Sequence, residues 1–192
     1  MAQSPSEPIE EMFQNLRTAV GECILEWAVV EFHLALMFHT LIGGNPPVSH
    51  GVFGAIRSFE ARLQMLHMAV VNSYTDEADT IRTDWKLLYN YCTSMSQLRN
   101  QVAHATALNV DGKEVVLEPF FNLTKEREKI STAEIKDRSV RFRELATTLW
   151  WITDQMERRT MPLGGSARPV PDLLLRLRTE AAQRRAKHGR PP

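Results

Sequence analysis

A chain of 192 residues that is 43% apolar and 24% charged is long enough to bury a substantial core, and its composition excludes both a disordered chain and a small disulfide scaffold. Its 23 basic and 23 acidic side chains cancel, so no global field draws it to nucleic acid or to an anionic surface. No segment approaches the roughly 20 consecutive apolar residues of a bilayer span, and the opening Met1 to Glu7 lacks a basic stretch leading into an apolar one, so a cytoplasmic protein with no membrane partner is expected.

The elements are legible in chain order. Phe13, Leu16, Val20, Cys23, Trp27, Val30, Leu34, Met37 and Leu41 recur in steps of three and four, predicting a long first helix that stops at Gly43-Gly44-Asn45-Pro46-Pro47. A second helix is expected from the stripe Val52, Ile56, Phe59, Leu63, Leu66 and Val70. A third carries Ile81, Trp85, Leu88, Cys92, Met95 and Val102. Periodicity is then lost. From about residue 105 to 124 the composition is that of a two-stranded hairpin turning at Asp111-Gly112.

Ser131-Thr132-Ala133-Glu134 reads as a capping box opening a fourth helix through Ile135, Phe142, Leu145, Leu149, Ile152 and Met156. Met161 to Pro171 is a linker by composition, and Asp172 to Lys187 has the pattern of a short basic amphipathic helix. The predicted fold is therefore mainly α: an antiparallel four-helix bundle over residues 1–159 with a β-hairpin inserted between helices three and four, then a linker and basic tail over 160–192. Cys23 and Cys92 lie on helical apolar stripes and are expected as reduced core residues. Trp27 and Trp85 are expected in the core, whereas adjacent Trp150 and Trp151 cannot share one direction, so one of them should approach the surface.

Charge is uneven along the chain. Up to Glu31 the only basic residue is Arg17, among six glutamates, whereas from Arg158 onward the chain is strongly basic. Arg176, Arg178, Arg184, Arg185 and Lys187 are thus candidate RNA contacts, and deleting the tail should then weaken RNA binding in a salt-sensitive way.

One position breaks the helical pattern. The third seam reaches Arg99 where an apolar residue is due, and Asn100 and His104 follow, about 400° apart around the helix and so nearly on one face. A guanidinium in an apolar slot needs a carboxylate, a phosphate or water. Glu31, on a second apolar row of helix one between Ile24 and Phe38, is expected to meet Arg99 in a groove as a supporting residue. A purely structural ion pair is the alternative. The chemistry offered by Arg99 and His104 suits RNA cleavage: RNA carries its own nucleophile in the 2′-hydroxyl, His transfers protons near neutrality, and Arg grips phosphate oxygens.

Leu98-Arg99-Asn100-Gln101-Val102-Ala103-His104 resembles the R-x4-6-H motif of the HEPN superfamily, including the polar residue that often follows the Arg. The likeness extends from about Glu11 to Arg159 in its order of elements. It implies a helical-bundle homodimer whose motifs face each other, with many members acting as metal-independent endoribonucleases in toxin, defence or RNA-processing systems. On that reading Arg99, Asn100 and His104 are catalytic, the substrate is RNA, no cofactor or metal is needed, and an antitoxin or regulatory partner is possible. The alternative is a non-catalytic HEPN-like dimer that binds a nucleotide, an RNA or a protein. A minor alternative is a metal site from His33, His67 and His104, which fall on three predicted helices.

Overall fold

The structure, a computed structural model, describes residues 7–119, 129–160 and 168–187. Among these the chain is mainly helical, with six helices and one three-stranded antiparallel sheet. Helix α1 spans Glu7–Ile42, α2 Pro46–Ala55, α3 Phe59–Ser73, α4 Thr80–Ala103, α5 Thr132–Thr160 and α6 Asp172–Lys187. Strands β1 (Ala105–Val110), β2 (Glu114–Pro119) and β3 (Ile130–Ser131) lie in sequence order in the sheet. The end of the expected hairpin, Phe120 to Thr124, and the linker residues Met161 to Ala167 lie outside the described residues.

Local chemistry explains the boundaries. Helix α1 ends where Gly43 and Gly44 take φ of 65° and 93°, a left-handed conformation that favours glycine. The single helix expected across residues 52–70 is instead two. Pro46 opens α2 at a position where a missing N–H is harmless, and the chain turns extended at Ile56 and Ser58. Ser58 then caps α3, its hydroxyl accepting from Ala61 N at 3.4 Å. The apolar spacing ran unbroken through the turn, but the buried residues of α2 are Ser49 and Phe53, and Val52 is exposed.

The hairpin turns as expected, with positive φ at Asp111 and Gly112 and Lys113 N bonded to Val110 O at 3.0 Å, the pattern of a type I′ turn. The short strand β3 adds a third member, pairing Val116 with Ser131 and Leu117 with Ile130. The capping box forms: Ser131 N donates to Glu134 Oε2 at 2.7 Å, and Glu134 N donates to Ser131 Oγ at 3.2 Å.

The described chain divides into two compact units. The first comprises α1 up to Ala28, α4 from Met95, the sheet, and α5 up to Arg143. Its core gathers Leu16, Cys23, Trp27, Val102, Leu117, Ile130, Ile135 and Phe142, with Trp27 set edge-on to Phe142 at 5.1 Å. Strand β2 of the hairpin buries Val115, Val116 and Leu117, side chains from both of its faces.

The second unit contains the rest of α1, α2, α3, α4 up to Ser94, the rest of α5, and α6. Its core includes Leu34, Met37, Phe53, Leu66, Trp85, Cys92, Leu149, Trp151 and Ile152, together with Leu173 and Leu174 of α6. Helix α6 is bound to this unit by charge as well. The buried Asp84 carboxylate receives Arg178 Nε at 2.8 Å and Nη2 at 2.6 Å, and Arg176 reaches Glu144 at 2.7 Å. Both cysteines are buried thiols. Of the adjacent tryptophans, Trp151 is buried, and Trp150 is exposed beneath the Arg168 guanidinium at 3.9 Å.

Candidate functional site

The candidate motif closes α4 in the first unit. Val102 is buried and fixes the rotation of this last turn, which leaves Arg99 half-buried and Asn100 and His104 exposed. The backbone N of His104 still bonds to Asn100 O at 3.1 Å. His104 is therefore held at the end of the helical ladder, and β1 begins at the next residue. Ordered backbone on both sides keeps the imidazole's origin fixed.

Arg99 is held by a hydrogen bond and by an aromatic ring among its contacts. Its Nη1 donates to Asn100 Oδ1 at 3.0 Å, and its guanidinium lies 6.0 Å from the Trp27 ring centre, a cation–π placement. Asn100 thus orients the arginine. Burial of Trp27 against Phe142 gives that placement a rigid floor. A second arginine approaches the same turn, since Arg138 Nη1 donates to the Leu98 carbonyl at 3.1 Å. The last turn of a helix carries partial negative charge, which favours cations there. The end of α4 consequently gathers Arg99, Arg138 and the titratable His104, a combination suited to an anionic ligand.

Glu31 belongs to the second unit, where its carboxylate accepts from Arg62 Nη2 at 2.9 Å. Arg62 also lies 5.7 Å from the Phe53 ring centre. Of the basic candidates on α6, Arg176 and Arg178 are engaged with Glu144 and Asp84. Arg184, Arg185 and Lys187 are exposed, with Arg184 3.5 Å from Glu180. An RNA contact from α6 would therefore come from its last turn. Trp27, Arg138 and Arg62 were not singled out from sequence as partners of the candidate residues. Trp27 reads there as core, and no periodicity marks which arginine meets which carboxylate.

Among the described residues, no group of three or more His, Cys, Asp or Glu side chains is arranged to hold a metal ion. His33 and His67 each bury Nδ1 without a hydrogen-bond partner, and desolvation lowers the pKa of both, aided at His67 by the charges of Lys86 and Arg82. No helix among the described residues is long and apolar enough to cross a membrane. Comparison with protein-family models, with curated proteins and with solved structures returns no match for this chain.

Proposed function

We propose that this protein is a metal-independent endoribonuclease of HEPN type, acting on RNA as a cytoplasmic homodimer in a toxin or defence setting. The observation that carries the proposal is the state of the α4 terminus: Arg99 is oriented by Asn100 and Trp27 while His104 is exposed at the very end of the helix. Those are the properties the reaction needs. A fixed guanidinium can take two phosphate oxygens and stabilise the charge that grows on them as phosphorus becomes five-coordinate. An accessible imidazole can exchange protons with the reacting oxygens near neutral pH.

In the proposed step the 2′-hydroxyl gives its proton to one His104 and its oxygen bonds to the adjacent phosphorus. The phosphorus–O5′ bond breaks, and the leaving oxygen takes a proton from the His104 of the second copy. The products are a 2′,3′-cyclic phosphate and a 5′-hydroxyl. Arg138 adds positive charge beside the site.

The rival is a HEPN-like dimer that binds nucleotide, RNA or protein without cutting. Binding and cleavage measured on the same labelled RNA separate the two. For a nuclease, His104→Ala retains RNA affinity within a few-fold and loses on the order of 10²–10⁴ in cleavage rate. Equal cleavage by wild type and His104→Ala, or affinity with no cutting by either, rejects the catalytic reading.

A further inference from the structure

The second unit holds a pair of histidines that the α4 motif does not use. Helix α1 carries His39 in its last turn, the glycine turn at Gly43 and Gly44 reverses the chain, and α2 returns Ser49 and His50 to it. Phe38 and Phe53, both buried, pack with ring centres 5.5 Å apart and hold the two helices together. His39 Nδ1 lies 2.8 Å from Ser49 Oγ, and the His50 ring stands edge-on to the His39 ring at 6.1 Å and 83°. All of these residues belong to the second unit.

The hydrogen bonds of Ser49 decide what His39 can do. A hydroxyl has one proton, and Ser49 donates it to the Pro46 carbonyl at 3.0 Å. It therefore accepts from His39, which puts the imidazole proton on Nδ1 and the lone pair on Nε2. The same facts exclude a serine nucleophile, because Ser49 is 1% exposed and its hydroxyl is turned to the backbone. What remains is an imidazole whose tautomer is fixed from behind by a buried group, the arrangement that orients histidines bound to metals.

We propose that His39 and His50 form a site for a divalent transition-metal ion of the zinc type. His39 Nε2 is one ligand, His50 is the second, and water fills the remaining positions. Ser49 is the positioning residue. Imidazole nitrogens select Zn²⁺, Ni²⁺ or Cu²⁺ over the oxygen-seeking Mg²⁺ and Ca²⁺. With about 2.1 Å from metal to nitrogen and about 1 Å more to each ring centre, two imidazoles on one ion sit about 5–6 Å apart. A small rotation of the exposed His50 closes the observed 6.1 Å. The last turn of α1 carries partial negative charge, which favours a cation at His39. Two protein ligands, where a structural zinc site has four, make the ion exchangeable, so it braces α1 against α2 without being required for folding. The inference is independent of the chemistry at the α4 terminus, whose residues take no part in it.

The test is calorimetric titration of zinc chloride into the metal-stripped full chain, read beside the thermal midpoint. Wild type should bind one Zn²⁺ per chain and melt at a higher temperature with zinc present. His50→Ala, at an exposed position, should keep its circular dichroism spectrum and lose at least about 100-fold in affinity, because a ligand is gone. Ser49→Ala should retain the one-to-one stoichiometry and lose about 10-fold, the effect of a freed tautomer. Nitrogen NMR of the imidazoles should show zinc on Nε2 of His39 in wild type. No saturable binding, an affinity unchanged in either variant, or zinc held through His39 Nδ1 overturns the proposal.

Discussion

Arg178→Ala should destabilise the protein by about 2–3 kcal/mol, and the reason lies in what it strands. The Asp84 side chain is only 5% exposed and takes two charge-assisted hydrogen bonds from one guanidinium, at 2.8 and 2.6 Å. Removing one member of a buried pair leaves an uncompensated charge, typically at a cost of about 3–5 kcal/mol. Arg178 is itself 37% exposed, so water enters the space it vacates and the cost falls toward the lower end. Asp84→Ala has a different consequence: the freed guanidinium turns to solvent, and the loss is about 1 kcal/mol. The double variant Asp84→Ala/Arg178→Ala should therefore be more stable than Arg178→Ala alone. Urea unfolding followed by circular dichroism gives all three values. Arg178→Ala within about 0.5 kcal/mol of wild type, or a double variant less stable than Arg178→Ala, refutes the reasoning.

Ser131→Ala should cost about 1 kcal/mol by removing half of the capping box, read from the same unfolding curves. The hydrogen bonds from the Ser131 backbone and hydroxyl hold the Glu134 carboxyl below its ordinary value. Its stabilisation is therefore complete above the unfolded value near 4.3 and is lost as pH falls through the folded one, so Glu134→Gln should flatten the acid limb of stability against pH. His33 and His67 behave in the opposite chemical sense, because burial disfavours their charged forms. The unfolded chain takes up those protons first as pH falls through about 6.5, so His33→Phe should lessen the loss of stability between about pH 7 and 5. Burial pushes the Cys92 thiol up to about 12 and raises Cys23 as well. A maleimide should accordingly label neither in the native protein and both in urea.

The sequence exposed what is periodic and hid what is not. Five of the six helices follow from apolar spacing and from punctuation such as Gly43-Gly44, and the hairpin follows from Asp111-Gly112, whose backbone must take positive φ. The break between α2 and α3 was missed because Val52, Ile56 and Phe59 keep helical spacing through a turn that Ser58 closes by a single weak cap. Strand β3, with two residues, is too short to leave a pattern.

At the candidate site, the placement of Arg99, Asn100 and His104 at one helix end was legible because it depends on local geometry. The Trp27 platform and the Arg138 contact to Leu98 join residues 72 and 40 apart in sequence or lie deep in the core, and no local rule announces such pairings. The basic tail shows the same limit. Its charge was plain, but the engagement of Arg176 and Arg178 with Glu144 and Asp84 was not. Deleting the tail would uncover Leu173 and Leu174 contacts and strand Asp84, so its RNA contribution is better tested by neutralising Arg184, Arg185 and Lys187 together. A salt-sensitive loss of affinity with unchanged single-turnover cleavage is the expected result.

The most direct test of the catalytic claim is cleavage of a structured, end-labelled RNA in excess EDTA by wild type, His104→Ala and Arg99→Ala, each verified as folded. The account predicts cutting by wild type alone, with 2′,3′-cyclic phosphate ends, and losses of at least about 100-fold in both variants. Cutting abolished by EDTA, 3′-hydroxyl ends, or full activity in either variant would contradict it.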